Sequence, residues 1–129
     1  MSRPVIYAEL ILSLVLAGLL GCQRTAQQSD AATARETLHQ SLAAWKKGDS
    51  LESLQKASPP LTVVDRQWQQ GVRLLDYQLE GDGEPNGFDV QIPVKLSLQD
   101  RAGKKFKEKA AYNVSTSPAL VIVRAEGPG

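Results

Sequence analysis

Apolar positions change their period twice along this chain. From Leu10 to Leu20 they run almost without interruption, from Leu38 to Trp68 they recur every three or four residues, and from Val72 onward they alternate with polar ones. The first run is far short of the roughly 20 residues that a helix needs to cross a bilayer. It has instead the length of a secretory signal peptide's apolar core, roughly 7–15 residues. The second period predicts helices. Thr33 and Glu36 have capping-box spacing, and Leu38, Leu42 and Trp45 then fall on one face. Lys46 and Lys47 suit the negative end of that helix, and Gly48 suits its termination. Asp49 and Glu52 repeat the spacing ahead of Leu51 and Leu54, before Ser58-Pro59-Pro60 breaks the pattern. Leu61, Val64 and Trp68 predict one more short helical face ending at Gly71.

The third period predicts strands. Val72, Leu74, Tyr77 and Leu79 form the first, with an irregularity near Leu75. Phe88, Val90, Ile92, Val94, Leu96 and Leu98 then alternate against Asp89, Gln91, Pro93, Lys95 and Ser97. Pro93 has no amide to donate, so this strand needs an edge or a bulge there. Lys104–Val114 supplies a third strand with Phe106, Ala110, Tyr112 and Val114 on one face, and Ala119–Ala125 a fourth. The links GDGEPNG, QDRAG and STSP favour antiparallel hairpins. Helices followed by strands predict an α+β fold, with N-terminal helices packed on a curved four-stranded antiparallel sheet. The organisation expected is a cleaved leader at 1–21, a flexible tether at 22–32 and a single domain at 33–126.

Composition narrows this picture little. The chain has 129 residues, 42% of them hydrophobic, and a formal charge of +1, which suits one ordinary domain. Loss of residues 1–21 removes Arg3 and Glu9 together and leaves that charge unchanged. Cys22 is the only cysteine, so no internal disulfide can form and the core must hold the fold.

Leu19-Leu20-Gly21-Cys22 closely resembles the lipobox of bacterial lipoproteins: an aliphatic residue, a tolerant position and a small residue before an obligatory cysteine. The resemblance implies a diacylglyceryl group on the Cys22 thiol, cleavage between Gly21 and Cys22, and acylation of the new N-terminus. One acyl chain binds a membrane only marginally, whereas two or more hold stably. Gln23 stands where enteric-type lipoproteins kept at the inner membrane carry aspartate, so the resemblance implies the outer membrane in an organism with two. The polar stretch QRTAQQSDAAT after Cys22 reads as the tether.

The helix with its phrase AAWKKGDSLESL, followed by a strand meander ending in VIVRA, resembles the cystatin-like superfamily, particularly its nuclear-transport-factor-2-like branch. That branch often carries an aromatic-x-x-Gly-Asp turn on an early helix. The resemblance covers roughly Thr33 to Ala125 and implies helices forming a cone with the sheet. Enzymes on that scaffold include isomerases, dehydratases and hydrolases using acidic, tyrosine or histidine groups. Fold alone does not assign such an activity.

Direct inspection yields no catalytic set. His39, the only histidine, has no sequence pattern linking it to a nucleophile or metal partner. Asp76 beside Tyr77, with Tyr112 on a later strand, could imitate a carbonyl-polarising acid and phenol, but alternation sends Asp76 and Tyr77 to opposite faces. Asp82-Gly83-Glu84-Pro85-Asn86-Gly87 starts like a calcium loop, yet its twelfth position falls on Pro93 where a glutamate is needed. A glycine-rich turn explains it. Asn113-Val114-Ser115 is a formal glycosylation sequon without meaning at a bacterial address. Lys105, Lys107 and Lys109 share one strand face and form a possible anionic-ligand surface, or a solvated face that discourages edge pairing. Near-neutral charge and the lack of aromatics on that face argue against nucleic acid.

The sequence therefore leads us to expect a lipid-anchored envelope protein with a non-catalytic binding or assembly domain, without cofactor or metal. Its expected partners are the membrane, through lipid on Cys22, and an envelope protein. The alternative is an enzyme or small-ligand carrier using a pocket between the first helix and the sheet.

Overall fold

The computed structural model describes residues 27–125. Helix α1 spans Ala31–Lys47 and starts ahead of the expected Thr33. Its N-cap is Asp30, whose Oδ2 accepts from the Thr33 amide at 2.8 Å and from the Thr33 hydroxyl at 2.8 Å. A carboxylate is the stronger acceptor for orphan amides, so the cap forms one turn before the Thr33–Glu36 spacing. Those two bonds, backbone first, hold the Asp30 carboxyl below its ordinary value. The expected 22–32 tether therefore gives way to ordered structure before its end. Ser29 is buried, its amide donates to Phe88 O at 2.8 Å, and its hydroxyl accepts from the Thr116 amide at 2.9 Å.

The apolar stripe of α1, Ala34, Leu38, Leu42 and Trp45, is buried as the period predicts. Burying each large member contributes about 1.5–3 kcal/mol. Gly48 ends the helix at φ 97°, where a side chain would be strained. Helix α2, Leu51–Gln55, is capped by Ser50 through the Ser53 amide and not by Asp49. The Asp49 backbone carbonyl accepts the Trp68 indole at 3.2 Å.

Leu61–Val64 is strand β1, not the expected helical turn, and Arg66–Gln69 forms the short helix α3. β-Branched Val63 and Val64 favour extended backbone, and Asp65 starts α3 by accepting the Gln67 and Trp68 amides. The remaining strands are β2 (Arg73–Leu79), β3 (Glu84–Asn86), β4 (Asp89–Gln99), β5 (Lys105–Ser115) and β6 (Leu120–Arg124). They build one six-stranded sheet in the order β1-β6-β5-β4-β2, with β3 also beside β4. The architecture is α+β, but the sheet is mixed where a four-stranded antiparallel one was expected. The difference is β1, which pairs in parallel with β6, and β3, which pairs with the start of β4.

The expected irregularity in β2 is a register shift between Leu74 and Asp76 against β4. Phe88 leaves the alternating row: it sits in the β3–β4 turn and is 64% exposed. Pro93 lies in a central strand without a bulge against β5. Its carbonyl accepts from the Glu80 amide, and a strand residue's amide and carbonyl point the same way. The missing donor thus falls opposite Glu80, where the β2 ladder has ended and β3 has not begun, and neither an edge nor a bulge is needed. Gly83, at φ 88°, lies so close to β4 that a Cβ would stand 2.7 Å from Val90 Cγ1.

Helix α1 lies across β2, β4 and β5. The even-numbered residues of β4 and β5 face it, and their neighbours face the other way. Among the described residues, no helix covers that second face.

Candidate functional site

The uncovered face is built by strand parity. Asp76 and Gln78 of β2, Lys95 and Ser97 of β4, and Lys107 and Lys109 of β5 line one groove of about 470 Å³. Register sets the rows: Gln78 pairs with Lys95 and Lys95 with Lys109, while Asp76 pairs with Ser97 and Ser97 with Lys107. Lys105, opposite Gln99, extends the lysine row. The three lysines singled out from the sequence are thus all exposed on one face, as alternation predicts, and the structure adds Lys95. None of these four ammonium groups has an ion-pair or hydrogen-bond partner among the described residues. The one acid in the groove lining that faces this side, Asp76, is 3.5 Å from Lys46 Nζ of α1. Lys95 directly opposite Lys109 is locally unfavourable, since like charges across an antiparallel pair repel.

A second cluster was missed by sequence reasoning. Asp65, 1% exposed, accepts the Tyr112 hydroxyl at 2.6 Å through Oδ2. Its Oδ1 takes the Gln67 amide at 3.0 Å and the Arg124 guanidinium at 3.4 Å. Arg124 continues to Glu108 Oε2 at 3.0 Å and donates to Gln67 Oε1, while Gln67 Nε2 donates to Glu108 Oε2 at 2.9 Å. Burial first, then the charge and hydrogen bond of Asp65, push the Tyr112 phenol far above its ordinary value. It is a permanent donor. Burial alone would depress the Arg124 guanidinium, but Tyr112, Asp65 and Glu108 together outweigh it and raise it. With both Asp65 oxygens engaged, the network ties β1 and α3 to β5 and β6. Its signal in the sequence was Asp65 ahead of RQWQ, an N-cap pattern hidden by the longer helical reading.

The other candidates separate. Tyr77 faces α1, where its hydroxyl lies 2.9 Å from His39 Nδ1, and Asp76 faces the groove. Burial, then the Asp76 charge, raises the Tyr77 phenol. Tyr77 and Tyr112 therefore serve different partners, and no shared acid joins them. Asp82–Gly87 forms the approach to β4 through β3, and among the described residues no three His, Cys, Asp or Glu side chains gather to hold a metal. Asn113 accepts from Asn86 Nδ2 at 2.9 Å. Gly21 and Cys22, the expected cleavage and lipidation positions, lie outside the described residues.

Between α1 and the sheet, where a ligand pocket was the alternative expectation, Leu38, Leu42, Leu96, Leu98, Tyr112 and Ile92 are each at most 1% exposed. The groove lies on the opposite side. Compared with known proteins, the chain matches no family model, no curated protein and no solved structure.

Proposed function

We propose that this is a lipid-anchored protein of the bacterial cell envelope whose domain is a non-catalytic binding or assembly module. One observation carries the module reading: the core side of the sheet is closed by α1, while the other side presents four lysines without a partner among the described residues, three of them around an open groove. The anchoring rests on Leu19-Leu20-Gly21-Cys22. The saturated Asp65 network fits the same reading, because its carboxylate has no free oxygen to offer a substrate.

The two ends of the domain suit that placement. The chain enters the fold at Ser29, beside Phe88 and Thr116, and Asp30 and Asp89 lie at this end. Lys107 is eight residues away along β5 from Ser115, a distance of about 27 Å. The seven residues from Cys22 to Ser29 reach at most about 25 Å when extended. Lys105 and Lys107 therefore lie at the end of β5 remote from the point where the chain enters the fold.

Labelled palmitate supplied to cells expressing the full chain is expected to enter the wild-type protein and to be absent from Cys22→Ser. The variant should also leave the membrane fraction. Equal labelling of both would overturn the anchoring.

A further inference from the structure

We propose that the edge of β5 from Lys105 to Lys109, which has no strand beside it among the described residues, docks an extended segment of a partner protein bearing acidic residues at alternate positions. The proposal rests on the reading of the domain as a binding module and names what it binds. In an antiparallel ladder, residues of one parity bond to one neighbour and those of the other parity to the other. The Ala125 amide donates to Ala111 O, so the odd-numbered residues of β5 aim their backbone groups toward β6. But β6 pairs only with Tyr112–Ser115. Beyond Ala111, the amides and carbonyls of Lys105, Lys107 and Lys109 point to an edge with no strand beside it among the described residues. These same residues place their side chains on the uncovered face.

Edge and charge thus come from one set of residues. An added strand would satisfy the free backbone groups and set its own side chains across from the lysines. Acids at every second position of an extended chain recur about 6.8 Å apart, the spacing of Lys105, Lys107 and Lys109 along β5. Lysines on an edge repel a neutral or basic strand, which is their protective role; they select an acidic one. The opposite face adds a filter. Glu108 lies there, already held by Arg124 and Gln67, so the intervening positions of the partner must not be acidic. Lys95, Lys107 and Lys109 around the groove supply the attraction that brings the segment in. A row of backbone donors and acceptors at strand spacing suits an extended protein segment over a membrane surface, which offers no ladder to pair with.

The test uses the lipid-bearing protein in nonionic detergent and two fluorescent peptides of equal composition, one alternating Glu and Thr, the other with its glutamates in a single block. The alternating peptide is expected to bind more tightly by about fivefold or more, and Lys107→Glu with Lys109→Glu should weaken it by about tenfold or more. Lys107→Pro separates edge pairing from charge. It removes an edge amide while leaving the β4 ladder intact, and should bind about fivefold less than Lys107→Ala. Equal binding of the two peptides would show general polyanion attraction and overturn the proposal, as would equal binding by the proline and alanine variants or no binding at all. Because palmitate labelling at Cys22 is read separately, these failures remove the edge site without touching the anchoring.

Discussion

Replacing Asp65 with alanine is expected to remove about 3–5 kcal/mol of folding stability, the usual consequence of deleting one member of a buried, hydrogen-bonded charge pair. The side chain is 1% exposed and meets three elements at once. It caps α3 through the Gln67 amide, takes the Tyr112 hydroxyl at 2.6 Å and offsets Arg124. Alanine leaves the buried phenol without its acceptor and the guanidinium with only Glu108 and Gln67. Tyr112→Phe removes only one hydroxyl and should cost about 1–2 kcal/mol. Since a domain of this size has about 5–15 kcal/mol in hand, Asp65→Ala should shift a urea midpoint sharply with an unchanged slope. A loss under about 1 kcal/mol would show that the network is not a tie between sheet and helix. The raised Tyr112 phenol adds a pH signature. Its contribution is fully present below the unfolded phenol value of about 10 and is lost as pH climbs above it, because only the unfolded chain then releases the proton.

Trp45→Ala is the second large effect, about 3–5 kcal/mol for an indole removed from the core. Trp45 stacks on Trp68 with centroids 5.2 Å apart and planes 5° from parallel. Each indole donates to a backbone carbonyl, Trp45 to Val72 at 2.9 Å and Trp68 to Asp49 at 3.2 Å. The pair thereby holds the end of α1 and the Gly48-Asp49 turn against α3 and the start of β2. Deleting Trp45 opens a void beneath Trp68 and frees the Val72 carbonyl. Because the two rings touch, the double variant with Trp68→Ala should cost less than the sum of the single ones, by about 0.5–1.5 kcal/mol. Strict additivity in thermal or urea unfolding would mean that the stack carries no coupling.

Long, regular periods were legible in the sequence. The stripe Leu38, Leu42 and Trp45, the alternation from Val90 to Leu98, and the lysine row of β5 are where the period places them. Short segments were not. Leu61–Val64 has too few residues to distinguish period two from period three, and its parallel partner, Leu120–Val123, lies far along the chain. Phe88 obeyed the alternation in sequence but the preceding Gly87 turned the backbone before the strand began. Caps slipped by one or three residues because Ser, Thr and Asp crowd both helix starts and offer competing acceptors. The Asp65 network joins residues 47 and 59 positions apart, beyond the reach of any local pattern. That no described strand lies beside Lys105–Lys109 depends on where the pairing of β6 stops, which only the register reveals.

Amide hydrogen exchange of the full chain, with and without the alternating acidic peptide, tests most directly whether the domain works through its uncovered sheet face and that edge. Exchange at Lys105, Lys107 and Lys109 is expected to slow by about tenfold or more on binding, because their amides gain acceptors, while Phe106, Glu108 and Ala110 stay as they were in the β4 ladder. If those three amides keep exchanging freely, and protection appears instead around His39 and Tyr77 beside α1, the account is contradicted and the binding site lies on the helix side of the sheet.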